Sequence, residues 1–307
     1  MQGIRDTLAG MREGNSNVLI ADGATGTMLQ SLGLPAGVAP ERWNVERPDA
    51  IRAHHRAYLD VGSQIILTNT FGGSRIKLAR MEEGLDARAE ELNRAAAVLA
   101  KAEAGVQAYV AGDIGPSGEL LAPYGLLSYE EAVCAFAQQA GALIAGGVDL
   151  LWVETMSDLN EARAAIEGVQ QALGRASVDL PVFCSLSFNR GGRTMMGVSP
   201  AQAVEVLWPM GLAAIGANCG EGIEPVKTAL AGMRDAFAAL GESVLPPLIA
   251  KPNAGLPRLE DGETVFDMGP GDLAAHGPEF VELGARIVGA CCGSMPAHIA
   301  ALAAALR

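Results

Sequence analysis

The sequence predicts a (β/α)8 barrel, and three observations carry that prediction. Eight short apolar runs recur along the 307 residues, their first residues 31 to 46 positions apart. Longer stretches of helical character separate them, so strand and helix alternate and the sheet is parallel. Eight such units in a chain of this length fit a closed barrel. An open doubly wound sheet is the alternative, but the loop after the first run reads DGATGT and lacks the Gly-x-Gly-x-x-Gly pattern of nucleotide-binding sheets.

The predicted strands are VLIAD (18–22), QIILTN (64–69), AYVAGD (108–113), DLLWVE (149–154), PVFCSLSF (181–188), LAAIGAN (212–218), PPLIAKP (246–252) and ARIVGA (285–290). Strands covered on both faces read as near-continuous apolar runs, as these do. The helices between them carry start signals. Ser128 and Glu131 make a capping box, Asp158 is an acidic cap, and Ser199 is followed by proline at the first helical position. No Pro- or Ser-rich linker divides the chain, which predicts one domain over 1–307 with its barrel core from about residue 18.

Composition narrows the function. The 22 Lys and Arg against 35 Asp and Glu give a net charge of −13, which argues against nucleic acid as a partner. Half the residues are hydrophobic, so the chain is not a disordered one. The N-terminal MQGIRDTLAGMREGN has no apolar signal core. The most apolar stretch (140–153) is interrupted by Asp149 and is too short to span a bilayer. Five cysteines in so long a chain are not a disulfide scaffold. The expectation is a cytoplasmic protein with reduced thiols and no membrane partner.

In barrels of this type the active site lies where the strands end. Those ends carry Asp22-Gly23, the Thr68–Phe71 segment, Asp113, Glu154-Thr155, Asn189, Asn218-Cys219, Asn253 and Cys291-Cys292. Cys219 follows the sixth strand and the Cys291-Cys292 pair follows the eighth, each just before a glycine. Alternate strands point into the same layer of a barrel, so the three thiols can meet. Three sulfur ligands suit a catalytic zinc with an open position. Three inert buried cysteines would share the same spacing, and spacing alone leaves both readings open. Cys134, within a helix, and Cys184, within a strand, are expected in the core.

Seven segments in combination are more specific. DGATGTML (22–29), TNTFGGS (68–74), GDIGPSGELL (112–121), ETMSDLNEA (154–162), GANCGEG (216–222), KPNAG (251–255) and GACCGSMPAHI (289–299) resemble the homocysteine S-methyltransferase family. That family includes betaine–homocysteine methyltransferases, S-methylmethionine-dependent enzymes and the homocysteine module of cobalamin-dependent methionine synthase. The short bacterial betaine-type form is the nearest in pattern, through TMMGVSP (194–200) and GPSGELLAPYG (115–125). The resemblance implies a (β/α)8 barrel that methylates the thiol of homocysteine, giving methionine. It implies Zn2+ as cofactor, held by Cys219, Cys291 and Cys292. Asp22 and Gly23 match the loop that holds the amino acid's backbone end, and Glu154 matches the carboxylate for its ammonium. Asn218 joins these substrate-side residues.

The chemistry suits the residues. A thiol is mostly protonated at neutral pH, and zinc coordination deprotonates it. Three thiolates make the site anionic, which favours an approaching onium methyl donor, betaine first. Animal-type betaine enzymes surround that cation with aromatics, a use of cation–π attraction. Here Gly72 and Thr155 stand where aromatics are expected, leaving Phe71, Trp43, Tyr124 and Tyr129 as candidate walls. The alternatives are S-methylmethionine as donor, a separate corrinoid protein as methyl carrier, or a non-catalytic amino-acid- or metal-binding barrel. A homo-oligomer stays open.

Overall fold

A computed structural model of the chain describes residues 3–13, 15, 17–260 and 263–307. All eight predicted runs are strands: β1 Leu19–Ile20, β2 Ile65–Leu67, β3 Tyr109–Ile114, β4 Leu150–Met156, β5 Val182–Leu186, β6 Ala214–Cys219, β7 Leu248–Pro252 and, after an inserted hairpin, β10 Ala285–Val288. They pair in parallel in the order β1-β10-β7-β6-β5-β4-β3-β2. The two edges meet through an Ala21–Ile65 bridge and the bonds Gln64 N to Ile20 O and Asp22 N to Ile65 O. The result is a (β/α)8 barrel, not an open sheet.

Side chains alternate strictly along the strands, as the pleat requires. Leu19, Ile65, Tyr109, Leu150, Phe183, Ala214, Ile249 and Ile287 fill the interior. Their neighbours Ile20, Ile66, Val110, Leu151, Cys184, Ile215, Ala250 and Val288 face the ring of helices. The parity matters for function. Counting on from each interior residue puts Asp113, Glu154 and Lys251 on the inward side at the top.

The three helix starts behave as their sequences dictate. Ser128 and Ser199 form complete capping boxes with Glu131 and Gln202, and Asp158 accepts from the amides of Asn160 and Glu161. Glu161 is also recruited by tertiary structure. Its Oε1 accepts from Ser117 N at 2.8 Å and Ser117 Oγ at 2.5 Å, tying the loop after β3 to the helix after β4.

Two elements have no counterpart in the predicted set. Helix Ile4–Arg12 lies under the N-terminal face of the barrel, where Ile4, Leu8 and Met11 join the interior cluster. An antiparallel hairpin, β8 Pro257–Glu260 with β9 Glu263–Phe266, extends the loop after β7. One expectation is corrected: Cys134 is exposed on helix Tyr129–Ala145, while Cys184 is buried as expected. No helix among the described residues is long and apolar enough to cross a membrane.

Candidate active site

Cys219 is the last residue of β6, and Cys291 and Cys292 follow β10; β7 lies between these strands. Cys219 Sγ is 3.9 Å from Cys292 Sγ, Cys291 Sγ is 4.0 Å from Cys292 Sγ, and all three sulfurs lie within 4.8 Å of one another. A tetrahedral ion with metal–sulfur bonds of about 2.3 Å needs sulfurs about 3.8 Å apart, so the trio fits one zinc. Sulfurs this close also share protons. The Cys219 thiol is drawn down to about 3 by hydrogen bonds from Cys291 and Cys292, and Cys291 is pushed up to about 12 because it serves Cys219.

The backbone holds the trio in place. Cys219 has a φ of +60°, rare for a residue with a side chain, and so does Thr155 at +62°. One asparagine clamps both turns. Asn218 Oδ1 accepts from Thr155 N at 2.9 Å and from Ser185 Oγ at 2.7 Å, and its Nδ2 donates to Thr155 Oγ1 at 2.7 Å. The Trp152 indole in turn donates to Ser185 Oγ at 3.1 Å. On the other side, Cys291 N donates to Pro252 O at 2.7 Å, and Ala254 N to Cys292 O at 2.9 Å. Gly293 must lack a side chain: its φ is +79°, and a Cβ would come within 2.1 Å of the Phe266 ring.

The thiols border a cavity of about 310 Å³ whose lining includes Gly23, Phe71, Asp113, Glu154, Thr155 and Lys251. Beneath it runs a buried charge cluster. Lys251 Nζ lies 3.4 Å from Asp22 Oδ1, 3.8 Å from Glu154 Oε2 and 5.0 Å over the Trp152 ring. Burial pushes the Glu154 carboxyl up to about 7 against the pull of Lys251, and pushes Asp22 and Asp113 upward too. For Lys251 burial acts downward, but the Glu154 and Asp22 charges outweigh it and raise it. Asp22 Oδ2 also accepts from Leu67 N at 2.7 Å, which fastens β1 to β2 at the mouth. Beside it, a Cβ on Gly23 would come within 2.6 Å of Ser294 Oγ and 2.8 Å of Tyr58 Oη.

The structure thus gathers Gly23, Glu154, Phe71 and the three cysteines around one cavity, with Asp22 and Asn218 fully buried behind its wall. Trp43 lies elsewhere. It is 5% exposed and packs with Leu29, Leu34, Ile51 and Leu99, the Arg47 guanidinium 4.8 Å over its ring. A large apolar ring gains more from that pocket than from a wet mouth. Tyr124 is largely exposed and Tyr129 donates to Glu167 Oε2 on the helix ring, so Phe71 is the one aromatic lining the cavity among the described residues. In the sequence Lys251 stands within the strand run PPLIAKP and the segment KPNAG, with no role attached to it. Its inward parity, two residues after Ile249, was the available signal.

A parallel barrel that gathers thiols and buried charges at the C-terminal mouth is, as a class, a (β/α)8-barrel enzyme. Comparison with known proteins narrows the class. Residues 19–306 match the family model described as homocysteine S-methyltransferase. Methionine synthase of Mycobacterium tuberculosis is 32% identical over 305 residues, and that of Mycobacterium leprae 31% over 302. The matches cover 95% and 94% of this chain but only 25% and 24% of those proteins, so the chain spans about a quarter of their length. Among solved structures, the metallated form of the homocysteine methyltransferase MmuM from Escherichia coli superimposes with a TM-score of 0.78 at 25% identity, covering 97% of this chain and 99% of that one. Its oxidised form gives 0.77 at 26%, covering 97% and 98%. The chain belongs to the homocysteine S-methyltransferase family.

Proposed function

We propose that the protein transfers a methyl group from a small onium donor, betaine first, to the thiol of homocysteine, giving methionine, with zinc held by Cys219, Cys291 and Cys292. The observation that carries this reading is the sulfur trio, spaced for one tetrahedral ion beside the cavity. Zinc in that place supplies deprotonation of the substrate thiol within an electron-rich, all-sulfur ligand set.

The chain's own residues do the rest. The Asp22-Gly23 turn receives the backbone end of the amino acid, and Glu154 faces the ammonium. Asn218 is a positioning residue, locking the two strained turns that carry Thr155 and Cys219. Phe71 offers one aromatic face to an onium group, and the anionic character of the thiolates and carboxyls supplies further attraction. Holding sulfur and methyl carbon in line makes the displacement effectively unimolecular. The sulfur–carbon bond forms as the donor's nitrogen–carbon bond breaks, and dimethylglycine leaves.

A second reading is favoured by the match to one quarter of the methionine synthases: methyl delivery by a separate corrinoid protein. S-methylmethionine is a further candidate donor. The test is metal analysis followed by methionine formation from betaine, S-methylmethionine, dimethylsulfoniopropionate and methylcobalamin in turn. About one zinc per chain and turnover with betaine is the expected result. Turnover with methylcobalamin alone selects the corrinoid reading. Zinc-loaded protein that yields methionine from none of the four sinks both.

A further inference from the structure

The charge cluster on the cavity floor has more carboxyls than cations. It holds three carboxyls, Asp22, Asp113 and Glu154, around a single ammonium, that of Lys251. Lys251 makes its ion pairs with Asp22 and Glu154. Asp113 is 4% exposed, has no ion pair among the described residues, and its Oδ1 has no hydrogen-bond partner. A buried carboxyl oxygen left unpartnered is costly and calls for a partner.

Asp113 cannot turn elsewhere to find one. Its amide donates to Thr68 Oγ1 at 2.9 Å, and its carbonyl accepts from Thr70 Oγ1 at 2.7 Å and Gln139 Nε2 at 3.3 Å. With the main chain of β3 fixed, strand parity aims the side chain inward, and it lines the same cavity as the three thiols. The missing cation must therefore arrive with a ligand. Homocysteine brings one, an α-ammonium a short aliphatic chain away from its sulfur.

We propose that Asp113 is a specificity-determining residue that receives the α-ammonium of the incoming amino acid beside Glu154, so that the site selects ligands carrying a thiol and an ammonium together. This rests on the functional reading above and deepens it. Lys251 pairs with Asp22 and Glu154. Asp113 is the carboxyl held in reserve. Burial and the nearby Glu154 charge hold its carboxyl well above the usual range, a state that an ammonium placed between the two carboxyls would relieve.

The test compares two ligands by calorimetry on zinc-loaded protein: homocysteine, and 4-mercaptobutanoate, which keeps the thiol, chain and carboxylate but lacks the ammonium. Asp113→Asn is expected to weaken homocysteine about ten- to a hundredfold and 4-mercaptobutanoate less than about twofold. An equal loss for both ligands, or no loss for homocysteine, overturns the proposal while leaving homocysteine binding itself intact. Wild-type protein that binds neither ligand overturns this proposal and the functional reading together. Zinc content and thermal unfolding are measured for each variant. Should Asp113→Asn lose zinc, Asp113→Glu carries the comparison: retained preference for homocysteine is expected, and a preference lost while zinc is kept overturns the assignment.

Discussion

The two ends of the barrel interior are built on opposite principles. At the N-terminal end, Tyr109, Leu150, Phe183, Ile249 and Ile287 pack against Ile4, Leu8 and Met11 of the first helix, and the Thr7 and Tyr109 hydroxyls meet at 2.9 Å. At the C-terminal end, further along the strands of the barrel, stand Asp22, Asp113, Glu154, Lys251 and the thiols. The first end is closed mainly by apolar packing. The second holds unpartnered atoms on Asp113 and Glu154 and two non-glycine residues with positive φ. Two strained turns and unmet carboxyl oxygens beside the three thiols mark the C-terminal end as the one built to receive a ligand, whereas the apolar end supplies stability that tolerates them.

Substitution at each end should therefore fail in different ways. Cys291→Ala is expected to show the largest effect, a fall in methionine formation of at least about a thousandfold, because losing activation by the ion removes several kcal/mol of transition-state stabilisation. Its zinc content should fall with it while thermal unfolding stays near wild type. Unchanged turnover in that variant would refute the metal assignment. Phe183→Ala, at the apolar end, should cost about 3–5 kcal/mol of stability, read by denaturant unfolding, because it empties a fully buried ring site packed edge-on against Trp152. Below its new melting temperature that variant should still bind zinc, and a loss of metal in a folded Phe183→Ala protein would erase the distinction between the ends.

The smallest effect comes from a buried polar group outside the mouth. His55, on helix Pro48–Asp60, is fully buried, and neither ring nitrogen has a hydrogen-bond partner. Burial lowers its pKa from 6.5 to about 4, so the folded protein keeps it neutral while the unfolded chain takes up a proton below about 6.5. Its share of stability is complete above about pH 6.5 and declines by up to about 3 kcal/mol as the pH falls to about 4. His55→Leu loses no hydrogen bond and should flatten that acid limb of a pH–melting profile. An unaltered limb would mean that His55 does not titrate differently in the two states.

Much of this was legible in the residues. Periodicity and spacing placed all eight strands, because parallel strands covered on both faces must be apolar and must recur once per unit. Caps were legible for a similar reason: Ser128, Asp158 and Ser199 act within one helical turn of themselves. The thiol trio was legible in outline, since strand ends and parity send Cys219 and the Cys291-Cys292 pair toward one mouth. Local signals did not reveal helix Ile4–Arg12 under the barrel, whose amphipathic pattern shows no destination, or the hairpin after β7.

Side-chain contacts across the barrel were not legible either. Trp43 stood in the sequence as a candidate cavity wall, yet it packs with Leu29 and Ile51, because burial in an apolar pocket is decided by neighbours far away in sequence. In the sequence Lys251 carries no assigned role and Asp113 is one of several strand-end carboxylates, since nothing local distinguishes a buried ion from an exposed one.

The sequence alone thus determined the architecture, the family resemblance and which residues could reach the mouth, since these follow from periodicity, strand parity and residue type. Only the tertiary structure decided the partnerships: Lys251 bridging Asp22 and Glu154, Asn218 clamping two strained turns, and Asp113 left without a cation. Electrostatic and hydrogen-bond energies depend on distances across the barrel, and the closure of eight strands sets those distances.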